Sequence, residues 1–150
     1  MSRLAGKRAA VVGAGSVGPG LGIGKATALR FAQAGARVLC IDRDATAAAE
    51  TAALIADAGG TARALALDVT DPDAGRALQA AAETAWGGLD ILHYNVGISS
   101  LGGLIDSTDA DWERVFDVNL MAAVRLTRAT LPAMRAQGAG AYSYVSSLVG

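Results

Sequence analysis

The chain has 150 residues, 52% of them hydrophobic, with 13 basic and 14 acidic side chains and a formal net charge of −1. This composition predicts one globular domain, excludes a disordered tail, and gives no sign of a nucleic-acid partner or an anionic membrane surface. One cysteine and one histidine exclude a disulfide framework and a thiolate- or histidine-rich metal site, and no apolar run approaches the roughly 20 residues that cross a membrane. We therefore expect a cytoplasmic protein without a metal site.

The first half of the chain alternates between apolar runs and helical periodicity. Residues 8–13 form a short apolar run that ends in glycine, as expected for a buried parallel strand. Apolar residues then recur at helical spacing over 22–34, and Gly35 provides a C-terminal stop. A second apolar run over 37–42 ends in an acid, and an alanine-rich helix is predicted over 45–58.

The alternation continues in the second half. A strand is predicted over 62–67. The helix after it is expected to use Asp71 as its cap and Pro72 as its first residue, and to run to about Ala85. A fourth strand is predicted over 89–94.

The longest helical region comes last before a fifth strand. Its cap lies within Ser107–Asp109, its apolar residues continue to Met134, and Pro132 predicts a break. The fifth strand is predicted over 141–146. Five strands alternating with four helical regions imply an α/β fold, a doubly wound Rossmann-type parallel sheet of order 3-2-1-4-5. Its ligand site is expected at the carboxyl ends of the strands, near the switch between the first and fourth strands.

A glycine-rich turn follows the first strand, with six glycines among residues 13–24. In one register Gly13, Gly15 and Gly18 form a G-x-G-x-x-G fingerprint. Pro19 and further glycines would then lie inside the helix, where the proline costs about 3 kcal/mol and each glycine about 1 kcal/mol of helix stability. In the preferred register the first two glycines make the turn, and the Gly-Ile-Gly of residues 22–24 opens the helix. Either register presents backbone N–H groups to a diphosphate.

An acidic residue at the end of the second strand is the second chemical signal. Asp42 follows Gly24 by 18 residues, close to the spacing of about 20 expected for an acid that binds the adenosine ribose. A carboxylate there favours NAD, because it repels the 2′-phosphate of NADP. The adjacent Arg43 can pair with that phosphate, so NADP stays open.

Together with three further motifs, these signals resemble the short-chain dehydrogenase/reductase family. Each motif lies at a predicted strand end or helix, and the similarity runs from about residue 5 to residue 150. The matching segments are Gly13-Ala14-Gly15-Ser16 with Gly22-Ile23-Gly24, Asp68-Val69, Asn95-Val96-Gly97, Val118-Asn119-Leu120, and Val145-Ser146-Ser147 with Gly150.

The resemblance implies an NAD(P)-binding Rossmann domain over residues 1–150, incomplete at its C-terminus after the fifth strand. It implies that Asp68 and Val69 contact the adenine and that the Asn95–Gly97 segment lines the cofactor site. The cofactor-binding residues expected from spacing and resemblance together are Gly13, Gly15, Ser16, Gly22, Ile23, Gly24, Asp42, Arg43, Asp68, Val69, Asn95, Val96 and Gly97.

The chain departs from the family pattern at several positions. Eight residues separate Gly13 from Gly22, where the family usually has three. Val12 stands in place of a threonine, and Tyr94 in place of the first asparagine of N-N-A-G. The preceding His93 is interpreted as a core or edge histidine, and Cys40 as a small buried hydrophobic residue.

Two of the family's four catalytic positions are present. The resemblance implies that Ser147 bonds the substrate oxygen, with Ser146 the less favoured choice, and that Asn119 holds a water and a lysine in a proton relay. The family's Tyr-x-x-x-Lys pair is missing, because no tyrosine of this chain is followed four residues later by lysine. The chain ends three residues after Ser147, before such a pair would come.

The leading hypothesis is an NAD(P)-dependent oxidoreductase that interconverts a small-molecule alcohol and ketone by hydride transfer. A non-enzymatic dinucleotide-binding module or inactive remnant is the alternative. A methyltransferase is a third class, against which the Asn95–Gly97 motif and the serine strand argue. The resemblance also implies a homo-oligomer, since the helix at about 110–136 resembles the one that the family uses for dimerisation.

Overall fold

A computed structural model describes residues 2–16, 18, 20–99 and 102–146. The strands are β1 (Arg8–Val12), β2 (Arg37–Asp42), β3 (Thr61–Ala66), β4 (Ile91–Tyr94) and β5 (Ala141–Tyr144). The helices are α1 (Ile23–Gln33), α2 (Ala45–Asp57), α3 (Ala74–Trp86), α4 (Asp109–Phe116) and α5 (Ala122–Ala136), with a π-helical segment at Asp117–Met121 between the last two.

The five strands form one parallel sheet of order β3-β2-β1-β4-β5, which confirms the expected fold and strand order. The order reverses between β1 and β4, where Val12 lies in register with Tyr94. This reversal opens the crevice at the carboxyl ends of the strands that a ligand can enter.

The side chains of the central strands alternate between two buried layers. On one face, Val11 and Cys40 pack with residues of α1 and α2 such as Ala28 and Ile55. On the other face, Val12, Ile41 and Tyr94 pack with residues of α3 and α5, including Leu78 and Leu126. The strands are therefore apolar on both faces, as the sequence predicts for a parallel sheet covered by helices. Within the described ranges, no helix combines the length and apolar character that a membrane span needs.

One predicted helix start differs from the structure, and another agrees with it. The third helix begins at Ala74 and not after Asp71, whose carboxylate accepts from Asp73 N at 2.7 Å while its carbonyl accepts from Ala74 N at 3.0 Å. Asp71 therefore closes a turn before the helix. The capping prediction for the fourth helix is confirmed, since Thr108 forms a reciprocal capping box with Asp111.

The break predicted at Pro132 is absent, because α5 runs through that residue. Buried Leu126, Thr130 and Met134 hold α5 against the sheet on both sides of the proline. The irregularity lies earlier, in the π segment, where one extra residue per turn rotates the following helix. Helix α4 has no buried residue, whereas α5, which follows the π segment, has five.

Candidate functional site

A cleft of about 1120 Å³ opens at the carboxyl ends of the strands. It lies over the β1–β4 switch point, where the strand order predicts it. The sequence-predicted residues that line it are Gly13, Gly15, Ser16, Gly22, Ile23, Asp42, Arg43, Asp68, Val69, Asn95, Val96 and Gly97. The structure thus brings together all but one of the expected cofactor-binding residues.

The remaining one, Gly24, supports the cleft from behind. A Cβ atom on this buried glycine would lie 1.8 Å from the carbonyl oxygen of Gly13 and 2.8 Å from Nδ2 of Asn95. No side chain fits there, so the glycine lets α1 approach β1 closely. Gly13 itself has φ +80°, and its N–H donates to Ile41 O at 2.8 Å, which ties the turn to β2.

The N-terminus of α1 faces this cleft. The helix begins at Ile23 with Gly22 as its N-cap, which confirms the preferred register and shows that the G-x-G-x-x-G register is wrong. Gly22 has no side chain to occupy the first-turn amides, and that turn carries no acidic residue. The N–H of Gly22 donates to Ser16 Oγ at 2.8 Å, which closes the lengthened turn. The partial positive charge of the helix end is therefore open to an anion.

Asp42 stands between the glycine turn and α2. Its Oδ2 accepts from Gly15 N at 2.9 Å and its Oδ1 accepts from Asp44 N at 3.1 Å. A Cβ on Gly15 would lie 2.7 Å from both Asp42 Oδ2 and Ala47 Cβ, so only glycine permits this contact. A carboxylate has about four lone-pair positions, and two remain for a diol in the cleft.

Asp68 and Val69 follow β3 on the same side of the cleft. Asp68 Oδ1 accepts from the N–H and the hydroxyl of Thr70, at 2.9 and 2.7 Å. These bonds hold the pKa of the Asp68 carboxyl below its usual value, with a smaller contribution from Arg43. Val69 is buried and presents an apolar surface beside this fixed negative charge.

The segment after β4 forms the opposite wall. Asn95 Nδ2 donates to Gly13 O at 3.4 Å, and Val96 Cγ2 would lie 3.0 Å from a Cβ on Gly13. These contacts leave Gly97 exposed at the cleft. The glycine turn and the Asn95–Gly97 segment are therefore packed against each other as one unit.

Of the two expected catalytic residues, Asn119 lies within the described part of the chain. Asn119 lies in the π segment, and its side-chain amide pairs with the backbone of Ile98: Oδ1 accepts from Ile98 N at 2.8 Å and Nδ2 donates to Ile98 O at 2.9 Å. Asn119 thus clamps the loop that follows Gly97. Ser147 lies outside the described residues.

Several residues of the cleft were not predicted. Thr51, fully buried in α2, donates from Oγ1 to Ala14 O at 2.9 Å and supports the glycine turn. Thr51 is one of two threonines in this alanine-rich helix, and its mid-helix position was the available signal. The wall formed by α4 and the π segment consists of Ala110, Glu113, Arg114, Asp117 and Val118. Of these, only Val118 belongs to a segment that resembles the family, and the others had no signal in the sequence.

His93 and Cys40 lie in the core, as interpreted from the sequence. His93 is 7% exposed, its Nδ1 lies 3.2 Å from Ser143 Oγ, and burial lowers its pKa. Burial raises the pKa of the Cys40 thiol to about 12, so it stays protonated. In the part of the chain that the structure describes, no three His, Cys, Asp or Glu side chains are grouped so as to hold a metal ion.

The chain matches known proteins along nearly its whole length. Residues 7–150 match the family model described as short chain dehydrogenase. Galactitol 2-dehydrogenase (L-tagatose-forming) of Cereibacter sphaeroides is 42% identical over 148 residues, which are 99% of this chain and 55% of that protein. The chain spans about half the length of the curated relatives that it matches.

Solved structures resemble this chain in fold as well as in sequence. A short-chain dehydrogenase/reductase from Burkholderia xenovorans superposes with a TM-score of 0.93 at 40% identity, over 98% of this chain and 58% of that one. A 7α-hydroxysteroid dehydrogenase complexed with NADH and 7-oxo glycochenodeoxycholic acid superposes with a TM-score of 0.90 at 34% identity, over 97% of this chain and 55% of that one. The family assignment argues against the methyltransferase alternative. The chain belongs to the short-chain dehydrogenase/reductase family of NAD(P)-binding oxidoreductases.

Proposed function

We propose that this chain forms the NAD-binding part of an oxidoreductase that interconverts an alcohol and a ketone by hydride transfer. The observation that carries the proposal is the convergence of the α1 N-terminus and the Asp42 carboxylate on one cleft, joined by the bond from Gly15 N. That arrangement matches a diphosphate and a ribose diol a short distance apart. A bound nicotinamide dinucleotide supplies the hydride donor or acceptor.

Each part of the cleft has a role in this proposal. The first-turn amides of α1, with Ser16 and Gly22, hold the diphosphate, and the free lone pairs of Asp42 hold the adenosine ribose. Asp68 and Val69 bind the adenine, and the segment from Asn95 to Gly97 bounds the cofactor on the β4 side. Ile23, 65% exposed at the helix start, covers the phosphate with an apolar side chain.

The charge of the cleft supports NAD over NADP. In the part of the chain that the structure describes, five carboxylates line the cleft and only two guanidinium groups, those of Arg43 and Arg114. The carboxylates are those of Asp42, Asp44, Asp68, Glu113 and Asp117. A 2′-phosphate would add about two negative charges to this surplus, against one adjacent arginine. NADP binding would therefore need Arg43 to outweigh Asp42.

The catalytic residues stay predictions. We propose that Ser147 bonds the substrate oxygen, and that Asn119 holds a water in a proton relay. No Tyr-x-x-x-Lys pair occurs in these 150 residues. A dinucleotide-binding module without turnover is the second candidate, because the bonding of the whole Asn119 amide to Ile98 favours a structural task for that residue.

We also propose a small-molecule substrate and a homo-oligomer for the whole protein. Short-chain dehydrogenases typically form oligomers, and α4 exposes Trp112 and Phe116, whose ring centroids are 6.2 Å apart. Leu120, one turn further, is 52% exposed. Such an apolar stripe suits burial against a second copy. The cytoplasmic location stays a prediction from composition.

Binding of NADH and NADPH to the wild type and to Asp42→Ala tests the proposal. We expect the wild type to bind NADH more tightly than NADPH. Asp42→Ala should lower the ratio of the NADPH dissociation constant to the NADH dissociation constant about tenfold, because the carboxylate both accepts hydrogen bonds from the ribose diol and repels the 2′-phosphate. Asp57→Ala, which removes a carboxylate at the end of α2 outside the cleft lining, is the control and should leave the ratio unchanged.

Two outcomes would contradict parts of this proposal. An unchanged ratio in Asp42→Ala would show that Asp42 is not the ribose ligand. Alcohol oxidation is then measured with the same protein and NAD, and binding without turnover would favour the module. Absence of NADH binding by the folded wild type would overturn the proposal itself.

A further inference from the structure

Tyr94 stands where the family has an asparagine, and its hydroxyl is bonded to the helical region that packs on the same face of the sheet. The side chain is 2% exposed at the end of β4, and its hydroxyl donates to the carbonyl oxygen of Val118. Val118 lies in the π segment, directly before Asn119. Tyr94 also lies directly before Asn95, the first residue of the cleft wall.

The π segment explains why this carbonyl is available. In an α-helix the N–H of Ala122 would donate to Val118 O, four residues earlier. Here Ala122 N donates to Asp117 O instead, five residues earlier. Val118 O has thus lost its α-helical donor, and Val118 is buried. An unpaired acceptor at such a position is costly, so the Tyr94 hydroxyl stabilises the π segment over a regular helix.

Asn119 links the π segment to the cleft. With its amide bonded to both the N–H and the carbonyl of Ile98, any shift of the π segment moves the loop after Gly97. Ile98, like Val96 and Gly97, lines the cleft. The five-residue segment from Tyr94 to Ile98 is therefore bonded to the π segment at both of its ends. The Tyr94 hydroxyl makes the first bond, and the Asn119 amide makes the second.

We propose that Tyr94 is a positioning residue for the cofactor site: its hydrogen bond to Val118 O fixes the π segment, so that Asn119 holds the Asn95–Ile98 wall in place. The proposal rests on the proposed function for its link to NAD. Burial raises the pKa of Tyr94 to about 12, so the hydroxyl remains a donor at neutral pH. Its action is indirect, since Tyr94 does not line the cleft.

The chain offers a matched control on the same sheet face. Tyr142 of β5 is in register beside Leu92, and its hydroxyl lies 3.0 Å from Thr130 Oγ1 of α5. Tyr142→Phe removes the same atom as Tyr94→Phe, from a contact with a regular part of the helix. A general loss of packing would affect both variants, whereas loss of the π segment would affect only Tyr94→Phe.

The first measurement is amide hydrogen exchange of the full chain, followed residue by residue by NMR. The Ile98 amide, which donates to Asn119, is compared with that of Leu92 in the core of β4 to correct for global stability. We expect Tyr94→Phe to lower the relative protection of Ile98 about fivefold, the change that corresponds to one hydrogen bond. Tyr142→Phe should leave it unchanged. Equal protection in the two variants would overturn the proposal.

The second measurement is NADH affinity. We expect Tyr94→Phe to raise the dissociation constant about fivefold, and to have no further effect in an Asn119→Ala background, because both substitutions then release the same wall. Additive effects of the two substitutions would contradict a shared route. If the wild type fails to bind NADH, the proposed function fails, and Ile98 exchange alone decides the role of Tyr94.

Discussion

The amino-terminal and carboxyl-terminal edges of the sheet both carry charged side chains, but only the first uses nearly all of their bonding capacity within the protein. At the amino-terminal edge, Arg8 donates from Nε and Nη2 to Asp90, from Nη1 to Gly87 O, and from Nη2 to Gln137 Oε1, at 2.7–2.9 Å. Four of its five side-chain donors are engaged. Gln137 also donates to Leu89 O at 2.7 Å.

At the carboxyl-terminal edge the acidic side chains are only partly engaged. Asp42 accepts from two backbone N–H groups, and among the described residues the Asp68 carboxylate bonds only to Thr70. The charged side chains of the amino-terminal edge are thus bonded almost fully within the protein, and those of the carboxyl-terminal edge keep lone pairs free for a ligand.

The largest effect is expected for Gly24→Ala, on the cleft side. The new Cβ would lie 1.8 Å from Gly13 O, so α1 must move away from β1. We expect a loss of about 3 kcal/mol or more in the free energy of unfolding, measured by urea denaturation. Gly103→Ala is the control, since a Cβ there meets nothing within 4 Å. Equal stability of the two variants would mean that the close approach of α1 to β1 is not required.

A smaller loss is expected at the opposite edge, from Arg8→Met. The side chains of Arg8 and Asp90 are only 17% and 15% exposed, and removal of Arg8 leaves the Asp90 carboxylate without its charged hydrogen-bond partner, at about 2 kcal/mol. Arg76→Met breaks the exposed ion pair with Asp73 and should cost less than about 0.5 kcal/mol. NADH affinity should stay unchanged in both variants. Weaker NADH binding by Arg8→Met would show that the two edges are coupled.

The smallest effect is a pH dependence from the same edge. The hydrogen bond from Arg8 holds the pKa of the Asp90 carboxyl below its ordinary value of about 3.9. A carboxyl whose pKa is lower in the folded state than in the unfolded state stabilises the folded state at pH values above the unfolded-state pKa. This contribution is lost as the pH falls through the folded-state pKa.

The stability advantage of the wild type over Asp90→Asn should therefore be constant from about pH 7 to 5 and should narrow below about pH 4. Urea denaturation at a series of pH values measures this difference. An advantage that does not narrow in acid would show that Asp90 contributes by its shape and not by its charge.

Much of the fold and the cofactor cleft could be predicted because the signals are local. Buried parallel strands appear in the sequence as apolar runs. A helix that starts after Gly22 is the register that keeps Pro19 and most of the turn glycines outside the helix. Asp42 is recognised by its place at a strand end, 18 residues after Gly24. The start of α3 and the continuity of α5 through Pro132 were predicted wrongly, because turn hydrogen bonds at Asp71 and buried contacts on α5 outweigh single-residue preferences.

By itself, the sequence determined the alternation of strands and helices, the strand order, and the glycine turn with its acid, since periodicity and backbone preferences act over a few residues. The tertiary structure decided where the long helix takes up its π segment, what Tyr94 and Asn119 bond to, and how Arg8 connects the loop before β4 with the end of α5. Those contacts join residues 21 to 129 positions apart. No local pattern encodes such partners, because they meet only when the helices have packed on both faces of the sheet.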